Sequence, residues 1–188
     1  MQEKIYFIPG WGETKKFKHS EKLIKALEKK FKVIPVQYIS KWGTLPSQNI
    51  KIILDQIEKP SSRDICIGFS IGALYTFILS RKIKFKKIIL CSISPFLEND
   101  LDAYPKKEVS KMVSHEEVKE FKKTKYVKPK SLTVYICGSK ENKEVIYKTK
   151  WLAKKFESKL IIVKNTDHEL SEGYIKAIEK AIDKNFPS

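Results

Sequence analysis

Arginine is scarce in this sequence. Only Arg63 and Arg81 carry a guanidinium, although lysine and arginine together number 38 in 188 residues. Arginine is the side chain suited to bidentate contacts with phosphates and base edges, so its scarcity argues against specific nucleic-acid readout. The formal charge of +16 comes instead from lysine spread over almost every segment. Such scatter fits a solvated surface, because net charge bears on solubility and association more than on fold. Long apolar runs are also missing, and none approaches the ~20 residues of a membrane span. The opening "MQEKIYFIPG" holds one short apolar stretch closed by Pro9 and Gly10, unlike a signal or transit peptide, so a cytoplasmic location is expected. Cysteine is limited to Cys66, Cys91 and Cys137, an odd number, each inside an apolar run and none in a CxxC pair. That pattern speaks against disulfides and thiolate metal sites and for buried, reduced thiols.

What is present is a globular composition. Hydrophobic residues make up 41% and aromatics 11%, in a length that suits a single domain over residues 1–188. Short β-branched runs recur at Lys4–Ile8, Lys32–Tyr38, Asp64–Phe69, Lys87–Ile93, Leu132–Cys137 and Lys159–Lys164. They are close to continuously apolar, as strands covered on both faces are. Helical patterns lie between them. Ser20, Ser47 and Ser171 are candidate caps, and stripes run through Leu23, Leu27 and Phe31, through Ile50, Ile53, Leu54 and Ile57, through Val145, Thr149, Leu152 and Phe156, and through Tyr174, Ile178 and Ala181. Strand–helix alternation of this kind predicts an α/β fold with a doubly wound, mostly parallel six-stranded sheet and helices on both faces. The rhythm breaks once, over about residues 95–130, where no strand pattern appears. A short insertion is expected there, with a helix opened by the capping box of Ser114 and Glu117 and running to about Lys123.

One junction carries chemistry. In "DICIGFSIGALYTF", Asp64 to Phe77, a serine stands between two glycines where an apolar strand meets a helix. A G-x-S-x-G in that context puts the serine on a tight turn with its hydroxyl at the carboxyl edge of the sheet. Side chains at Gly68 or Gly72 would collide with the neighbouring strand or helix. The N–H of Ile71, first in the new helix, would face an oxyanion forming beside Ser70. A hydroxyl at its ordinary pKa needs a base. Among His19, His115 and His168, only His168, in "IIVKNTDHELSEG", follows a core strand at that edge. A carboxylate should orient the imidazole. Glu141, just past the fifth strand, is the first candidate, with Glu98, Asp100 and Asp102 after the fourth strand as rivals. The loop "IPGWGET" after the first strand brings Gly10 and Gly12, which permit a sharp turn, and the N–H of Trp11 as a second oxyanion donor. Phe69, beside the serine, is a candidate for contact with the substrate.

With Ser70, an acid and His168 in that order behind the Gly10–Gly12 loop, the chain resembles the α/β-hydrolase superfamily over nearly its whole length. The resemblance implies a compact core lacking the first two of the usual eight strands, with spatial order 2-1-3-4-5-6. It places residues 95–130 where lids usually sit. "PGWG" is similar to the "HGWG" turn of pimeloyl-carrier-protein methyl esterases of biotin synthesis, with Pro9 in place of the usual His and Glu141 in place of the more frequent Asp. The resemblance implies a serine hydrolase of carboxylic esters or thioesters, without metal or organic cofactor. Its partners would be a small acyl ester or thioester, or an acidic acyl carrier protein bearing one, which the basic surface would suit. The alternatives are an acyltransferase using the same three residues, or a non-catalytic basic binding module on the same fold.

Overall fold

The computed structural model describes residues 3–13, 17–39, 41, 43–57 and 60–183. Six parallel strands form one sheet: β1 (Lys4–Ile8), β2 (Lys32–Pro35), β3 (Ile65–Phe69), β4 (Lys87–Cys91), β5 (Leu132–Gly138) and β6 (Lys159–Val163). Their spatial order is β2-β1-β3-β4-β5-β6, as expected for the doubly wound sheet. Register runs Ile5 to Ile65, Ile65 to Lys87, Lys87 to Leu132 and Val134 to Lys159, so the carboxyl ends of the central strands lie along one edge.

Alternation within each strand divides the core between two faces. Tyr6, Ile8, Cys66, Ile88, Leu90 and Tyr135 point to one face, beneath α2 (Pro46–Gln56), α3 (Ile71–Leu79) and α6 (Lys143–Lys155). Ile5, Phe7, Ile65, Ile67, Ile89 and Ile136 point to the other, beneath α1 (Glu21–Glu28) and α7 (Glu172–Asp183). Both faces being covered explains why the strands read as almost unbroken apolar runs. Helix α7 is also tied down at its end, where the buried Lys87 ammonium donates to the carbonyls of Ala181 and Ile182 at 2.6 and 2.8 Å. A cation at a helix C-terminus suits the carbonyls left without intrahelical partners.

Several boundaries differ from the sequence expectation for identifiable reasons. Strand β2 ends at Pro35 because the N–H groups of Gln37 and Ile39 turn to the side chains of Gln56 and Asn49 in α2. Strand β4 ends at Cys91 because Ser92 takes φ +49°, which turns the chain out of the sheet. Ser20 precedes α1 but donates its hydroxyl to Glu13 instead of capping. Ser47 lies inside α2, which starts at Pro46, and its N–H and hydroxyl both go to Glu120. The stretch between β4 and β5 holds more helix than its pattern suggests: a 3-10 turn at Asp100–Ala103, then α4 (Lys106–Met112) and α5 (His115–Lys123). Helix α4 buries no residue fully, which is why its sequence carries so little apolar period. The Ser114–Glu117 capping box is present at the start of α5.

Candidate active site

The turn between β3 and α3 is built from close backbone approach. A Cβ at Gly72 would collide with the carbonyl oxygens of Ile8 and Pro9 at the end of β1, and one at Gly68 with the first turn of α3. The chain therefore reverses over a single residue. Ser70 adopts φ +56° and ψ −122°, a sparsely populated conformation for a residue with a side chain, and its N–H donates to the Cys91 carbonyl at 2.8 Å. Ile71 is the first residue of α3, so its N–H has no acceptor within the helix. From the loop after β1, Gly10 lies against this turn, where an added Cβ would sit 3.0 Å from the Phe69 ring and 3.3 Å from the Ser70 Cβ. Gly12 turns with φ +82°, and between the two glycines Trp11 is 43% exposed. Thr14, at the end of the expected loop, lies outside the described residues.

Two further loops meet beside Ser70. Those after β5 and β6 touch so closely that a Cβ at Gly138 would strike the Thr166 carbonyl oxygen, an atom that accepts the Lys140 N–H at 2.8 Å. Asn165 donates its N–H to the Ser139 hydroxyl at 2.9 Å. This stitching brings Glu141 and His168 together. His168 Nδ1 lies 2.6 Å from Glu141 Oε2, and His168 Nε2 lies 2.9 Å from Ser70 Oγ. A carboxylate only accepts, so Nδ1 carries the imidazole proton and Nε2 presents its lone pair to the serine hydroxyl. The Glu141 side chain is 0% exposed and that of His168 46%, so the chain of contacts runs from the interior to solvent. The Phe69 ring packs at 5.1 Å from the imidazole.

The rival acids are committed elsewhere. Glu98 accepts the Tyr126 N–H at 3.0 Å, Asp100 is held by Lys148 and the Tyr126 hydroxyl, and Asp102 pairs with Lys122 at 2.6 Å. Ser70 and His168 open on a cleft of about 1170 Å³ whose walls include Gly10, Trp11, His19 and Leu170. His115 instead lines an apolar groove of about 810 Å³ between the 3-10 turn, α4 and α5, which includes neither Ser70 nor His168.

Sequence reasoning missed three hydroxyls. Ser94 Oγ lies 3.4 Å from Ser70 Oγ. Ser92, just past β4, donates its hydroxyl to Glu141 Oε1, and the Tyr174 hydroxyl sits 2.7 Å from Ser92 Oγ. The serines of "CSIS" leave a core strand at the same sheet edge as Ser70, which was a usable signal. Tyr174 gave none, since it falls on the apolar stripe of α7. Burial, with the Glu141 charge beside them, pushes the Cys91 thiol well up and the Cys137 thiol to about 12, so both stay protonated. All three cysteines are free and buried. Among the described residues, no group of His, Cys, Asp and Glu has the geometry to hold a metal ion, and no helix is long and apolar enough to cross a membrane.

No protein-family model and no curated protein sequence matches the chain. Solved structures do. The ydeN gene product of B. subtilis is similar at TM-score 0.72 and 12% identity, over 97% of this chain and 100% of that one. The monoacylglycerol lipase of Paleococcus ferrophilus gives 0.69 and 15% identity, over 95% and 91%. An esterase from Thermogutta terrifontis gives 0.66 and 11%, over 97% and 80%. At such identities the likeness is one of architecture: this chain has the α/β-hydrolase fold.

Proposed function

We propose that the protein is a serine hydrolase that cleaves a carboxylic ester or thioester through an acyl-enzyme. The observation that supports this most strongly is the unbroken hydrogen-bond chain from Ser70 Oγ through His168 to the buried Glu141. In the first half-reaction Ser70 Oγ bonds to the acyl carbon while its proton passes to His168 Nε2. Glu141 holds the imidazole and offsets the positive charge it gains. The N–H groups of Ile71 and Trp11 are the proposed donors to the oxyanion, with Ile71 favoured by its place at the start of a helix. As the tetrahedral intermediate collapses, the bond to the alcohol or thiol breaks and His168 returns the proton to the leaving group. Water, deprotonated by His168, then attacks the acyl carbon, and Ser70 departs with the proton. A 46% exposed imidazole gives water ready access, which favours hydrolysis over transfer to another acceptor.

Two of the similar structures, named a monoacylglycerol lipase and an esterase, agree with ester cleavage as the reaction class. A narrower substrate is an acyl group, such as a pimeloyl methyl ester, borne by an acidic carrier protein, in keeping with the charge of +16. Docking of that kind weakens as salt rises toward physiological ionic strength. The general proposal is tested with p-nitrophenyl esters of graded chain length. Hydrolysis by the wild type should fall by ~10⁴- to 10⁶-fold in kcat in Ser70→Ala. Activity within tenfold of wild type in that variant would remove Ser70 from the mechanism and leave a non-catalytic module on this fold.

A further inference from the structure

Glu141 is not held by His168 alone. Its second oxygen, Oε1, accepts the hydroxyl of Ser92, and behind Ser92 stands the hydroxyl of Tyr174, 2.7 Å from Ser92 Oγ and 2.9 Å from the Ile136 carbonyl. Ser92 and Tyr174 are 0% exposed, and the Glu141 side chain likewise has no contact with water. The Ile136 carbonyl accepts the Ser92 N–H at 2.8 Å and, on its second lone pair, the Tyr174 hydroxyl at 2.9 Å, and the tyrosine proton is shared between that carbonyl and Ser92 Oγ, 2.7 Å away. Ser92 can then direct its own proton at the carboxylate. Hydroxyls joined in series polarise one another, so the second strengthens the bond the first donates.

The backbone supports the same conclusion. Ser92 takes φ +49°, a conformation unfavourable for a residue with a side chain and one that glycine adopts readily. A serine kept there at that cost contributes its hydroxyl. Tyr174 is well placed to hold it, since its ring is wedged against Phe69 at 6.1 Å on a helix whose end is tied down by Lys87. Burial, with Cys91 and Glu141 nearby, keeps the phenol protonated far above neutral pH.

We infer that Ser92 and Tyr174 are positioning residues that form a buried hydroxyl relay, anchored on β5, which orients Glu141 and keeps its charge available to His168. This inference rests on the hydrolase proposal above. A buried carboxylate with one donor would be free to rotate about its last torsion and to pair with other groups around it. Those groups are His168, the thiols of Cys91 and Cys137 and the two hydroxyls. The relay restricts Glu141 to one orientation, with one oxygen for Ser92 and the other for His168.

The test compares wild type with Ser92→Gly, which removes the hydroxyl and suits the left-handed backbone, and with Tyr174→Phe, which keeps the ring. Loss of one hydrogen bond to a charged group should lower kcat by roughly 10- to 100-fold in Ser92→Gly, with KM within about twofold. Tyr174→Phe should lower kcat by less, roughly 3- to 10-fold, because only the outer proton is gone. The acid limb of the pH–rate profile should move in both variants. Proton NMR supplies a readout that needs no substrate: the downfield signal of the His168 Nδ1–H on Glu141 should shift or broaden in Ser92→Gly while the rest of the spectrum stays folded. An unchanged downfield signal and pH profile in a folded Ser92→Gly would overturn the relay. If instead Ser70→Ala kept its activity, the hydrolase proposal would fail while the NMR comparison still reported on the relay.

Discussion

Neighbouring strands β3 and β4 leave the sheet at the same edge and are held in opposite ways. After β3 the chain turns over one residue into α3, and what fixes the turn is backbone against backbone: Gly72 against the carbonyls of Ile8 and Pro9, Gly68 against the first turn of α3. After β4 it wanders through a 3-10 turn and two helices before β5 begins at Leu132. That stretch is held by side chains reaching far along the sequence. Lys148 of α6 pairs with Asp100, Glu117 accepts the Gly43 N–H at 2.8 Å, and Glu120 accepts the N–H and hydroxyl of Ser47. Backbone contact leaves no room for adjustment and suits a turn that must aim a nucleophile. Side-chain ties tolerate substitution one at a time.

That contrast can be broken at its rigid end first. Gly72→Ala should cost ~3 kcal/mol, because the obstacle is main chain and cannot swing away. Thermal unfolding should fall by roughly 2–4 °C per kcal/mol in a chain of this length. A melting temperature within 2 °C of wild type would mean the turn is less tightly fixed than its geometry implies. The helical segment should respond in a graded way. Lys148 and Asp100 are only 13% and 11% exposed, and the ammonium also lies 4.6 and 4.5 Å from the centres of the Tyr126 and Trp151 rings. Lys148→Met should cost ~2 kcal/mol, since it strands a largely buried carboxylate that keeps the Tyr126 hydroxyl. Lys122→Met removes the partner of Asp102 from a pair that is 40% and 57% exposed and should cost under ~1 kcal/mol. Equal losses from the two lysines would erase the distinction between buried and exposed ties.

The same contrast explains what could be read from the sequence. The β3 turn was legible because its determinants are local: glycine, serine and glycine in five residues between an apolar strand and a helix. The parallel sheet followed from alternation, and the strand order from the resemblance to α/β-hydrolases. Ser70, Glu141 and His168 were nominated from their places at strand ends, and the geometry brings them within hydrogen-bond distance. The capping box at Ser114 was visible because Glu117 stands three residues away. Helix α4 was not, since it buries nothing fully. Ser47 misled because its partner is Glu120, seventy-three residues on. Tyr174 was concealed by its own apolar surroundings, in which one hydroxyl does not disturb a helical stripe.

In the proposed mechanism Ser70 is a nucleophile activated by His168. The most direct test of that role is reaction with a fluorophosphonate, followed by intact-mass measurement and peptide mapping of the wild type, Ser70→Ala and His168→Ala. One adduct is expected in the wild type, mapped to Ser70, with none in Ser70→Ala and labelling slowed by ~10³-fold or more in His168→Ala. An adduct that persists in Ser70→Ala, or a wild type that resists the probe at every pH tried, would contradict the mechanism.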